Sequence, residues 1–296
     1  MKFSHRLASR LIGLLVCCLA LSGPSRGDGP VHALWELHGK RNTVYLLGSI
    51  HVLRASDYPL PKAISDAYAN SKSLVMEINL GEVDIADVQA QMLQSALLPE
   101  GKTLAAILGN ERYARAAALC TPLGINLADF DQFAPWFVAE AISQLQLLQQ
   151  GFEPDAGVEM HFLGLAQADG KSLAGLETAH DQIALFEAMP METQAAYLLS
   201  SLAEAHDLPR EVNDMVAAWQ RGDTAWFNGE LTREFGQDSP LYQAVLIARN
   251  RLWVPKIEAM LNDDKNYLDN VGTGHLVGKG SVIDLLKRDG IAASQQ

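Results

Sequence analysis

The chain is 296 residues long, carries 35 acidic against 23 basic residues, and has a formal net charge of −12. That balance excludes functions that need a basic surface, so neither nucleic acid nor an anionic membrane is expected as a partner. At 48% hydrophobic residues it holds ample material for a folded core.

In chain order, the first feature is a leader. Lys2, Arg6 and Arg10 precede the apolar run LIGLLVCCLALSG, and small residues follow up to Gly27. Residues 1–27 read as a secretory signal peptide, with cleavage between positions 22 and 27. The apolar run is shorter than the ~18–20 residues a bilayer span needs. No stable membrane insertion is therefore expected after its removal, and the expected location is periplasmic or extracellular. Cys17 and Cys18 leave with the leader. Cys120, in ARAAALC, then has no partner for an intramolecular disulfide and reads as a buried small hydrophobe.

Residues 28–296 read as one α/β domain. Two strand-like runs, 33–37 and 43–47, flank the polar turn HGKRN and predict a hairpin. Pro61 suits a first helical position, and Ile64, Ala67 and Tyr68 fall on one face of the helix that follows. SLVMEINL, 73–80, is the next strand. Strand, helix, strand predicts a parallel pair joined by a right-handed crossover. A large helical insertion spans about 84–265, broken by the short strand-like KSLAGLE. In it Val212, Met215, Val216 and Trp219 repeat at helical spacing. The end returns to α/β: NYLDNVGTGH is a strand and glycine turn, and GSVIDLLKRDG is a helix with Val282, Leu285 and Leu286 inward and Gly290 after it. The fold class is thus a central, mostly parallel sheet with an initial hairpin, flanked by helices.

In open parallel sheets function gathers at the carboxyl ends of the strands. His51 follows the strand 43–47, Glu77 sits near the end of the strand 73–80, and His275 follows the strand 267–271. Both histidines stand three residues after a glycine, in Gly48-x-x-His51 and Gly272-x-x-His275. Gly48 and Gly272 are expected to take positive φ and bend the chain sharply. Two imidazoles and a carboxylate are the minimum for a hydrolytic metal site with an open water position. Glu77 would be the third ligand or the base that takes a proton from the metal-bound water. VGTGHLVGKGS invites a nucleotide reading, but Val277 stands where the dinucleotide fingerprint needs glycine, and Thr273 and Gly280 break the P-loop pattern.

LWELHGKRNTVYLLGSIHVL, SLVMEINL, GLETAHDQ, ARNRLWVPKIEAML and VGTGHLVGKGSVIDLLKRDG together resemble the TraB/GumN family, which includes the TIKI metalloproteases, from about Val31 to Gly290. The resemblance implies a fold like that of the erythromycin esterases and ChaN-like haem-binding proteins. It also implies a metal-dependent peptidase site with His51 and His275 as ligands and Glu77 as ligand or catalytic base. By the same resemblance Arg249, in the ARN step, would be a catalytic cation that holds a substrate carboxylate or a developing oxyanion. Asn250 would support the site. Glu177, with Gln182 on the next helix, and Glu159, where the family often carries an aspartate, are the further candidates around it.

The function expected from these readings is that of an exported metal-dependent hydrolase acting on a peptide or small-molecule substrate through a manganese, cobalt or zinc ion. The alternative is a periplasmic ligand- or haem-binding protein on the same fold, which a Soret band would reveal.

Overall fold

A computed structural model describes residues 31–235 and 239–296. The leader lies outside the described residues. No helix among the described residues is long and apolar enough to cross a membrane.

Six strands form one mixed sheet: β1 Leu34–His38, β2 Thr43–Ser49, β3 Ser73–Ile78, β4 Ser172–Glu177, β5 Tyr267–Gly272 and β6 Ala293–Gln295, in the spatial order β4-β3-β5-β2-β1-β6. β2, β5, β3 and β4 are mutually parallel, so four carboxyl ends share one edge. β1 pairs antiparallel with β2 as the expected hairpin, and β6 adds antiparallel to the outer side of β1. β2 and β3 are parallel as expected but are not neighbours, because β5 lies between them. β5 qualifies for the centre by burial: Leu268, Asp269, Asn270 and Val271 are all essentially inaccessible, as a strand with partners on both edges and layers on both faces must be.

Helix α1 (Lys62–Asn70) buries Ile64, Ala67 and Tyr68, the three positions its spacing marks. Between β3 and β4 come α2 (Ile85–Ala96), capped by the Asp84 side chain, α3 (Leu104–Cys120), α4 (Pro135–Gln149) and α5 (Val158–Asp169), which ends at left-handed Gly170. Between β4 and β5 come α6 (Ala179–Glu187), α7 (Met191–Glu204), α8 (Leu208–Gln220), α9 (Thr224–Phe235), the single turn α10 (Pro240–Tyr242), a π-helical stretch Gln243–Ala248 and α11 (Arg249–Leu261). α12 (Val282–Arg288) follows β5. It buries Val282 and Leu286, with Leu285 half-buried beside them.

The main core fills both faces of the sheet, with Leu37, Leu46, Leu47 and Leu74 of the strands against Phe162 of α5, Trp219 of α8, Trp253 of α11 and Leu286 of α12. A second core lies wholly between helices, where Leu104, Leu108 and Cys120 of α3 meet Val138 and Ile142 of α4 and Leu198 and Leu202 of α7. Cys120 is buried there, and burial raises its thiol pKa, so it packs as a small hydrophobe.

Candidate active site

The strand order brings Glu177 at the end of β4, Glu77 on β3, the turn after β5 with His275, and His51 beyond β2 to one sheet edge. Arg249, at the start of α11, joins them. Its five N–H groups are all committed. Nε donates to Glu177 at 3.1 Å, and Nη1 to the Val245 carbonyl at 3.1 Å and to His275 Nε2 at 3.0 Å. Nη2 donates to Glu77 Oε2 at 2.6 Å and to Glu177 Oε1 at 2.5 Å. Arg249 therefore clamps two carboxylates and leaves no N–H for a substrate oxygen. Gln182 Nε2, on α6, links the same two acids at 3.0 and 2.8 Å. Trp253, one turn after Arg249, donates to Glu177 at 3.1 Å and lies against the His275 ring.

The two histidines are held alike. A guanidinium only donates, so His275 accepts at Nε2 and carries its proton on Nδ1, which donates to Asn250 Oδ1 at 2.6 Å. Asn250 is anchored in turn by donating to the Gly280 carbonyl at 2.9 Å. His51 presents Nδ1 to Glu159 Oε1 at 2.7 Å, and the Ser49 hydroxyl donates to the same oxygen. α5 carries Glu159 there because its first residues lie on the His51 backbone: Val158 N donates to the Ile50 carbonyl at 3.1 Å, and a Cβ on Gly157 would sit 2.2 Å from the His51 carbonyl. In both cases an outer partner fixes Nδ1 and turns Nε2 inward, as metal-binding histidines are commonly held.

Gly272 locates the meeting point. A Cβ there would lie 3.2 Å from Glu77 Oε1, 3.6 Å from His51 Nε2 and 3.7 Å from the His275 ring. Neither Gly272 nor Gly48 takes the expected positive φ; Gly272 has φ −51°. What each position needs is the missing Cβ. One at 272 would crowd Glu77 Oε1 and lie in ordinary contact with the two histidines, and one at 48 would sit 2.8 Å from Thr273 Oγ1, whose hydroxyl donates to the Ser49 carbonyl at 2.9 Å. The Gly272 N–H donates to Glu77 Oε1 at 2.8 Å.

Charge follows from this packing. Burial pushes His275 down to about 3, so it is neutral. Burial alone would raise Glu77, but the histidines, Arg249 and the Gly272 N–H offset it and hold the carboxyl at about 2. Glu159 is lowered as well: burial opposes ionisation, but His51 favours it. The Glu159 charge in turn raises His51 to about 9. Since the folded value exceeds the ordinary 6.5, this pair adds stability that is complete below pH 6.5 and lost as pH rises through 9. Glu159→Gln is expected to return His51 of the metal-free protein toward 6.5, read from its imidazole NMR shifts against pH; a titration still centred near 9 would assign the shift to another charge.

A cavity of about 250 Å³ opens onto the site, lined by the polar His51, Glu77, Glu159 and Gln182 and by the apolar Met76, Ile78, Leu80 and Met160. No three His, Cys, Asp or Glu side chains among the described residues stand ready to hold a metal ion together. In donor type, His51 Nε2, His275 Nε2 and Glu77 Oε1 nevertheless fit a divalent ion, which would displace the proton that Glu159 favours on His51. The contact in its way is Arg249 Nη1 on His275 Nε2.

The arrangement of these motifs has counterparts elsewhere. The model of the TraB/PrgY/gumN family matches residues 33–295. The chain belongs to that family. Among curated relatives, the uncharacterized protein YbaP of Shigella flexneri and that of Escherichia coli K12 are each 26% identical over 251 residues, covering 85% of this chain and 90% of theirs. An uncharacterized protein of Treponema pallidum is 21% identical over 298 residues, covering 94% of this chain and 88% of its own. No solved structure matches the chain significantly.

All seven candidate residues of the family motifs gather at one sheet edge: Glu77, Glu177, Arg249, Asn250 and His275 form one hydrogen-bonded group, and the His51–Glu159 pair approaches it beside Gly272. Sequence reasoning misses Ser49, Trp253 and Asp269. Trp253 has a signal, its spacing of four from Arg249. Asp269 has one too, an acid inside the otherwise apolar YLDNV.

Proposed function

We propose that this family member is an exported, metal-dependent hydrolase of peptide-like bonds, with the ion held by His51, His275 and Glu77. The observation that carries the reading is the convergence of two histidines, each fixed at Nδ1 by a separate outer partner, on one oxygen of a buried carboxylate. Imidazoles held at Nδ1 by an outer carboxylate or amide and turned at Nε2 toward a shared carboxylate are the usual arrangement of metal-binding histidines, and the ion would take the place of Arg249 on His275 Nε2.

The bound ion would supply an activated water at neutral pH and polarise the scissile carbonyl. The residues of the chain do the rest. Glu159 and Ser49 orient His51, and Asn250 orients His275. Arg249 keeps Glu77 ionised, and a carboxyl held at about 2 is a weak base and a good ligand. Glu77 is thereby assigned as a ligand and Arg249 as a positioning residue. The apolar wall of Met76, Ile78, Leu80 and Met160 seats an uncharged part of the substrate. The leader-like segment 1–27 supports the exported location.

The test is an undirected one. A tryptic peptide pool incubated with the purified protein, with and without chelator, is read by mass spectrometry. New cleavages that vanish with chelator and in Glu77→Gln are expected; cleavages that persist under both treatments, or a pool left intact by metal-loaded protein, contradict the proposal.

A further inference from the structure

Behind the candidate site, on the far side of Gly280, lies a second recess of about 190 Å³. Its walls come from Tyr242 of α10, the π-helical stretch Gln243–Ala248, the first turn of α11, the turn Gly278–Lys279–Gly280 and helix α12. Arg251, Lys279 and Arg288 line it, Ile247 and Leu285 form its apolar side, and no acidic side chain lines it. Three cations facing one hollow stand out in a chain of net charge −12. Arg288 is paired with Asp284 at 2.5 Å, and Asp284 also accepts from the Gly280 N–H at 2.7 Å. Arg251 and Lys279 form no ion pair among the described residues.

The turn is shaped for this. Gly280 is left-handed at φ +77°, and a Cβ there would meet Ile247 Cδ1 at 2.6 Å, so the backbone lies flat on the apolar wall. Tyr242, buried on the same wall, donates to the Lys279 carbonyl at 3.4 Å. Lys279 is thus held by its backbone while its side chain stays exposed. The VGTGHLVGKGS segment fails as a nucleotide motif, and the recess is smaller than the ~300–1,000 Å³ of ligand-sized sites, so a whole nucleotide does not fit. A single tetrahedral dianion does, since arginine forks and a lysine point charge are the groups that hold phosphate.

We propose that Arg251, Lys279 and Arg288 form a binding site for one phosphate group, free or as the head of a phosphate monoester. It is separate from the candidate active site but shares a wall with it, because the Gly280 carbonyl accepts from Asn250, which holds His275. The proposal stands whether or not the hydrolase reading does.

Calorimetric titration of the full chain tests it, with inorganic phosphate, glycerol phosphate and chloride at matched ionic strength. Saturable phosphate binding is expected, weakened at least ten-fold in Lys279→Gln and in Arg251→Gln, and unchanged in the remote Lys102→Gln. All three replace exposed side chains, and circular dichroism checks that each is folded. Tighter binding of the ester would assign a head group, and equal or weaker binding the free ion. An equal response to chloride, or phosphate affinity unchanged in both Lys279→Gln and Arg251→Gln, overturns the proposal.

Discussion

Arg249→Leu is expected to lower folding stability by about 3–5 kcal/mol at neutral pH, the cost of leaving buried charge without its partner. Glu77 and Glu177 both bond to this guanidinium and have side chains only 11% and 8% exposed. Without it Gln182, Trp253 and the Gly272 N–H remain as their donors, and none of these brings a full charge. Arg249→Lys recovers only part of the loss, because an ammonium cannot fork between two carboxylates, the Val245 carbonyl and His275 at once. The sign with pH follows. The Glu77 carboxyl sits at about 2 in the native protein, below its ordinary 4.5, so its contribution is present above pH 4.5 and lost as pH falls through 2. In Arg249→Leu that contribution shrinks, and the gap to wild type narrows as the medium is acidified. Urea unfolding at pH 7 and pH 4 measures both; a loss under 1 kcal/mol at pH 7 would mean that the clamp is not what holds these acids.

The second large effect belongs to Asp269, in the central strand. Its carboxyl is fully buried and neither oxygen has a hydrogen-bond partner. Burial, aided by the Glu77 charge, raises it to about 8, so it is a neutral acid at pH 7. A folded value above the ordinary 3.8 means that stability is fully present below that value and is lost as pH rises through 8. The loss across this window is on the order of 5 kcal/mol. Asp269→Asn, which cannot ionise, is expected to match wild type within about 1–2 kcal/mol at pH 5 and to exceed it clearly by pH 8.5. Parallel pH profiles for the two proteins would place the ionisation elsewhere.

How much of this is legible in the sequence depends on the range of the interaction that decides it. SLVMEI and YLDNVG announce themselves as strands, and α1 announces its buried face, because those patterns are local. The order β3-β5-β2 is not local. It joins β5 to segments that precede it by about 190 to 225 residues, and the strand–helix–strand pattern points to pairing of β2 with β3 instead. β6 escapes notice because Ala-Ser-Gln carries neither alternation nor β-branched residues. Within the site, the Gly-x-x-His motifs and Glu77 are readable as chemistry at strand ends. Arg249 is readable as a cation, but not that all five of its N–H groups are already committed, which changes it from a substrate-binding group into a clamp. The glycines are readable as special, yet for a reason of space and not of backbone angle.

The central claim is that His51, His275 and Glu77 hold one divalent ion, and elemental analysis tests it most directly. Wild type, His51→Ala, His275→Ala and Glu77→Gln, each loaded and then dialysed, are compared for bound manganese, cobalt and zinc. About one equivalent in wild type and a large loss in all three variants is the predicted result; the same metal load in all four proteins would contradict it.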